Sequence, residues 1–143
     1  LVEVYNKTGG NVLAVTEVPR EQTGSYGILD VGADDGKTVE VKGLVEKPDP
    51  KDAPSTLSVI GRYVLTADVL KHLAKLEKGA GGEVQLTDAM AKTIGHVPFH
   101  GYRYEGKRFD CGSKPGFLEA QIAFALARED LAGDVREFLK KYK

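Results

Sequence analysis

Apolar residues recur along this chain with two rhythms. Residues 11–18 (NVLAVTEV) are β-branched and apolar almost without a break until Pro19, the pattern of a buried strand. Residues 26–31 and 37–46 are two further strand-like runs, and the Gly-Ala-Asp-Asp-Gly between them has the composition of a hairpin turn. Residues 57–65 (LSVIGRYVL) predict a fourth strand, and a fifth is expected near 97–104.

The other rhythm is helical. Val69, Leu70, Leu73 and Leu76 follow one another at helical spacing from Ala67 onward, with Asp68 in the first turn and Gly79 past the end. Residues 79–82 form the flexible loop expected after it, and Thr87 is the expected N-cap of a helix running to about Ile94 and stopped by Gly95. Ser113 caps the next helix, with Pro115 in the first turn, where a missing N–H costs nothing. Residues 117–126 are apolar nearly all round, so this helix is expected to be central in the fold or covered by a partner. Val135, Phe138 and Leu139 give a short last helix ending on Lys140 and Lys141. At the other end, Leu1, Val4 and Tyr5 before Gly9 and Gly10 predict the last turns of a helix with a glycine stop, which suggests a fragment. Strands and helices thus alternate irregularly around a hairpin, and the fold class is α/β with a mixed sheet.

Composition narrows the partners. The chain has 143 residues, 41% hydrophobic and 29% charged, an ordinary globular balance at a length able to bury a core. Twenty basic against twenty-one acidic residues leave a formal charge of −1, so nothing draws the chain in bulk to nucleic acid or anionic membrane, and any phosphate binding is local. Apolar runs are far shorter than the roughly 20 residues that cross a bilayer. A single cysteine, Cys111, makes neither an internal disulfide nor a cysteine-based zinc site and fits a reducing compartment. A cytoplasmic protein with neither nucleic acid nor membrane as partner is expected.

Four clusters carry candidate chemistry. Glu46 and Lys47 end an apolar run before Pro48; at the carboxyl end of a strand, Glu can accept from sugar hydroxyls and Lys can meet a phosphate. The bland alternative is a solvated charge pair ahead of a turn. Asp110, in FDCG before the Ser113 cap, can give Mg²⁺ a hard oxygen ligand or cap amides in its own turn. Residues 82–89 (GEVQLTDA) set acidic and amide groups at a helix start, where Asp88 can also compensate the helix dipole. Tyr26-Gly27 heads a strand where a ligand can approach the backbone, or where the strand simply bulges. Asp30, Asp34 and Asp35 lack calcium-loop spacing, His72 falls on a helix surface, His96 and His100 flank a strand without metal spacing, and Cys111 lacks an adjacent cation that would make it a nucleophile.

Taken in order, YGILD, GLVEKP, SVIGRY, GEVQLTDAM, PFHGYRYEG and RFDCGSKPGF resemble the bacterial UTP-glucose-1-phosphate uridylyltransferase family over almost the whole chain. The resemblance implies a Rossmann-like nucleotidyltransferase fold that makes UDP-glucose and pyrophosphate from UTP and glucose 1-phosphate with Mg²⁺. It covers the family's C-terminal half, so residues 1–143 are expected to be the sugar-phosphate-binding part, without the N-terminal glycine-rich loop, uracil-reading residues and upstream metal-binding Asp. By the same resemblance Glu46 accepts from glucose hydroxyls, and Lys47 meets the sugar phosphate as the catalytic residue. Gly27 lies against the sugar through its backbone, Val59 contacts sugar through its main chain, and Asp110 holds metal. The fragment alone is expected to be inactive and to associate with itself, the whole protein being a homo-oligomer. A thymidylyl- or adenylyl-transferase of the same superfamily is the alternative within the chemistry. A noncatalytic sugar-binding or oligomerisation module is the alternative outside it.

Overall fold

The computed structural model describes residues 1–75, 77–79 and 82–142. They form two compact units, Leu1–Tyr104 and Glu105–Lys143.

In the first unit, the glycine stop is realised: α1 (Val2–Thr8) ends at Gly9, whose φ of 73° is left-handed. β1 (Asn11–Glu17) follows, buried over its first five residues because the β-branched run faces protein on both sides. β2 (Gly27–Asp34) and β3 (Thr38–Glu46) make the expected hairpin, from Gly27 opposite Glu46 to Asp34 opposite Val39. Its turn is held by carboxylates: Asp34 accepts from the Gly36 N–H at 2.8 Å, and Asp35 from those of Lys37 and Thr38 at 2.9 and 2.6 Å. β4 (Leu57–Val64) and β5 (Phe99–Arg103) complete the sheet.

The pairing order β1-β4-β2-β3-β5 returns to β1, so the strands close on themselves. Every pairing is antiparallel except β1 with β5, which makes the sheet mixed as expected. Leu13, Val15, Leu29, Val39, Leu57 and Phe99 fill the core. Arg103 reaches from β5 to Asp34 with two hydrogen bonds of 2.7 Å, fastening the hairpin end.

The helices of this unit are shorter than the periodicity suggests. α2 (Ala67–Leu73) has two turns, with Val69 buried while Leu70 is 61% exposed; Leu76, expected on its apolar face, lies outside the described residues, as do positions 80 and 81 of the expected loop. α3 (Leu86–Ala91) ends three residues before Ile94 and drives Ala89 and Met90 into the core. The start of β1 is joined to both helices by one side chain. Asn11 donates from Nδ2 to the Thr93 hydroxyl at 2.9 Å and accepts at Oδ1 from the Thr66 N–H at 2.7 Å. Asn11 and Thr93 are buried, so each bond satisfies a group that water cannot reach.

In the second unit, α4 (Lys114–Leu126) starts as expected: the Ser113 hydroxyl accepts from the Gly116 N–H at 3.1 Å, with proline in the first turn. α5 (Ala132–Leu139) follows. Phe117, Leu118 and Phe124 of α4 are exposed, so its all-round apolar character leaves apolar surface in contact with solvent. Among the described residues no helix is long and apolar enough to cross a membrane.

Candidate functional site

The residues singled out in the first unit converge on the last rung of the hairpin. Gly27 opens β2 directly opposite Glu46, which closes β3. The Glu46 side chain is only 12% exposed, and the Thr87 hydroxyl of α3 donates to its Oε2 at 2.7 Å. Gly27 leaves space that these two groups take up. A Cβ there would lie 3.2 Å from Glu46 Oε2 and 3.3 Å from Thr87 Cγ2.

Lys47 leaves the strand in an unusual conformation. Its φ is 47°, the one left-handed non-glycine backbone among the described residues, at a cost of roughly 1–2 kcal/mol. Its N–H donates to the Tyr26 carbonyl at 2.9 Å, extending the pairing one step past Gly27. Its Nζ stands 3.7 Å from Glu46 Oε1, an ion-pair distance without a hydrogen bond, and the side chain is 55% exposed. The cation is therefore available to an incoming anion.

Two β4 residues border this rung. Val59 has its side chain in the core and pairs with Val15, which leaves its main chain as the part able to meet a ligand. Its neighbour Ser58 pairs with Ile28, one residue along from Gly27. Tyr63 holds its phenolic proton above the ordinary tyrosine range, through burial first and the nearby Glu46 carboxylate second.

Thr87 corrects a sequence expectation. The N-cap position falls on Gln85, Thr87 sits in the first turn, and its hydroxyl goes to Glu46 rather than to a helix amide. The motif GEVQLTDAM contained the signal, but a contact across 41 positions has no local signature. His72 is a second correction. It is half-buried rather than on an open helix surface, lines a cavity of about 430 Å³ with Gln85 and Asp88, and its Nδ1 is buried with no hydrogen-bond partner.

Asp110 lies in the second unit, exposed in the turn before α4. Its Oδ1 accepts from the Gly112 N–H at 3.0 Å and its carbonyl from the Ser113 N–H at 3.3 Å, so the turn-capping alternative is realised. An exposed carboxylate with one oxygen in the turn still suits Mg²⁺, which keeps waters and takes one or two carboxylates together with phosphates. No group of three His, Cys, Asp or Glu able to enclose a metal occurs among the described residues, so a protein-only cage is not the arrangement here. Cys111 beside it is exposed and unpaired.

Comparison with known proteins gives a consistent picture. The profile of the nucleotidyl transferase family matches residues 1–125. A UTP–glucose-1-phosphate uridylyltransferase of Komagataeibacter xylinus is 86% identical over 139 residues, 97% of this chain and 46% of that protein. One from Staphylococcus epidermidis is 40% identical over 99% of this chain and 49% of its own length. The chain spans about half the length of the curated relatives it matches. Among solved structures, a UDP-glucose pyrophosphorylase complexed with UDP-glucose matches with a TM-score of 0.81 at 37% identity, over 88% of this chain and 48% of that one. A UTP-bound UGPase from Acinetobacter baumannii matches at 0.86 and 35% identity, over 99% and 49%.

Proposed function

The chain belongs to the nucleotidyl transferase family, and from that premise we propose that it is the C-terminal, sugar-phosphate-binding part of an enzyme forming UDP-glucose and pyrophosphate from UTP and glucose 1-phosphate. The observation that carries this reading is the last rung of the β2–β3 hairpin. There a nearly buried carboxylate faces a buried glycine across the rung, and a solvent-facing ammonium follows one residue on.

The reaction is an in-line displacement. A phosphate oxygen of glucose 1-phosphate attacks the α-phosphorus of UTP, a new P–O bond forms, and the bond to the β-phosphate breaks to release pyrophosphate. Positioning and charge compensation carry such a transfer. Lys47 places a positive charge against the sugar phosphate as the two polyanions approach, which makes it both the binding and the catalytic residue of this chain. Glu46 accepts from glucose hydroxyls at the oxygen not taken by Thr87. Gly27 lets the sugar lie against the backbone, and Val59 offers its main chain at the border.

Asp110 would hold Mg²⁺, whose charge would offset the repulsion between the phosphates. The triphosphate and the base are bound by residues outside this chain. The reaction takes place in the cytoplasm, in keeping with the unpaired, exposed Cys111. The whole protein is a homo-oligomer, a reading supported by the exposed apolar side chains of α4.

The test is Lys47→Ala in the whole protein, with pyrophosphate release as readout. Loss of a charge-assisted phosphate contact should weaken glucose 1-phosphate use by about 2 kcal/mol. Unchanged dependence on the sugar phosphate removes Lys47 from the site.

A further inference from the structure

The geometry points to Thr87 as a positioning residue that selects which oxygen of Glu46 the sugar meets. This inference rests on the reading of Glu46 as a sugar-hydroxyl acceptor and goes beyond it.

A glutamate at a strand end can rotate about three side-chain bonds, and a freely rotating carboxylate presents either oxygen to any hydroxyl that arrives. Here that freedom is removed from two sides. The Thr87 hydroxyl donates to Oε2 at 2.7 Å, a contact between β3 and α3 rather than within either element. Gly27, across the rung, leaves 3.2 Å between an added Cβ and the same Oε2, so the oxygen occupies the space a side chain would need. The other oxygen, Oε1, stands 3.7 Å from Lys47 Nζ, on the side where an anion would be met.

Thr87 itself is held firmly. Its helix is anchored by Ala89, nearly buried, and Met90, fully buried. The end of that helix is tied through Thr93 to Asn11 at the start of β1. The hydroxyl is therefore a fixed donor. A carboxylate held this way has one acceptor oxygen at a set distance from the phosphate-binding ammonium. That distance is a ruler along the sugar, from the anomeric phosphate to one hydroxyl position and one stereochemistry.

The consequence is separable from packing. Thr87→Val keeps shape and removes the hydroxyl; Thr87→Ser keeps the hydroxyl and removes a methyl group. In the whole protein, Thr87→Val should raise KM for glucose 1-phosphate by about tenfold or more, the scale of a lost hydrogen bond to a charged group, with KM for UTP unchanged. It should also narrow the preference for glucose 1-phosphate over galactose 1-phosphate, because the released carboxylate can turn to a differently placed hydroxyl. Thr87→Ser should restore both values to within about twofold. Unchanged sugar-phosphate kinetics in Thr87→Val overturns the proposal. So does a Thr87→Ser enzyme as impaired as Thr87→Val, since the effect would then come from packing. Should Thr87→Val fail to fold, Thr87→Ser compared with Thr87→Ala by the same two readouts decides the matter. Glu46→Gln is run alongside: if it leaves sugar-phosphate use untouched, the reading of Glu46 fails. If it impairs use while Thr87→Val does not, only the role of Thr87 fails.

Discussion

Gly27 and Glu46 face each other on the final rung of the β2–β3 ladder, and the glycine is there because the carboxylate needs its space. A methyl group at position 27 would meet Glu46 Oε2 at 3.2 Å and Thr87 Cγ2 at 3.3 Å, so one of the two must give way. Gly27→Ala should fold, since the strand backbone accepts alanine. In the whole protein it should raise KM for glucose 1-phosphate by about fivefold, the scale of a displaced hydrogen bond, and thermal unfolding measured beside the kinetics should shift by only a few degrees.

Lys47 sets stability against function. Its left-handed backbone is costly for lysine and natural for glycine. Lys47→Gly should therefore stabilise the protein by about 0.5–1 kcal/mol in urea unfolding, while sugar-phosphate use falls as it does for Lys47→Ala. A Lys47→Gly protein less stable than the parent would show that the turn depends on the side chain.

Acid should loosen the hairpin end. The Arg103 guanidinium, followed by the Gly36 amide, holds the Asp34 carboxyl below its ordinary value, and the amides of Thr38 and Lys37 do the same for Asp35. A depressed carboxyl stabilises the fold above its unfolded-state pKa, about 3.9 for Asp. That contribution is lost as pH falls through the lower folded value. Stability should decline below about pH 4, and Asp34→Asn should flatten the decline, as followed by circular dichroism against pH.

A substitution at Asp110 tests metal binding apart from folding. It is exposed, so Asp110→Asn should change stability by no more than about 0.5 kcal/mol. Turnover of the whole protein should fall by more than about tenfold, as measured by pyrophosphate release over a Mg²⁺ series. Residues 1–143 alone should show no UDP-glucose synthesis in the same assay. Activity in that chain would mean that UTP is held by residues described above.

The apolar surface of α4 should make the isolated chain associate. Light scattering should report species larger than one chain. Phe124→Lys, which replaces a side chain that is 68% exposed, should reduce them without loss of helix.

Local rules were enough to read much of this arrangement from sequence. β1 shows in its β-branched run, the hairpin turn in its Asp and Gly residues, and Ser113 in its place before Pro115. Glu46 and Lys47 are adjacent in sequence, so their pairing was visible as well. What escaped depends on distance along the chain or on competition between rules. Thr87 carries the residue type of a helix cap, and a charged acceptor 41 positions away takes its hydroxyl instead. A lysine ahead of proline is expected to be extended, yet the hydrogen bond from its N–H to Tyr26 accompanies a left-handed turn. Val69, Leu70 and Leu73 share helical spacing, but a two-turn helix against a closed sheet leaves Leu70 exposed.

Asn11 joins the residue before α2 to the turn after α3, so residues 66–93 leave the sheet and return to it at a single side chain. Such a segment is an exchangeable cassette. A replacement must offer a backbone N–H at its entry and a hydroxyl at its exit, and it must also refill the core positions that Val69, Ala89 and Met90 occupy. Within it the hydroxyl at position 87 reaches Glu46 on the hairpin, so exchange of the segment would carry that contact with it.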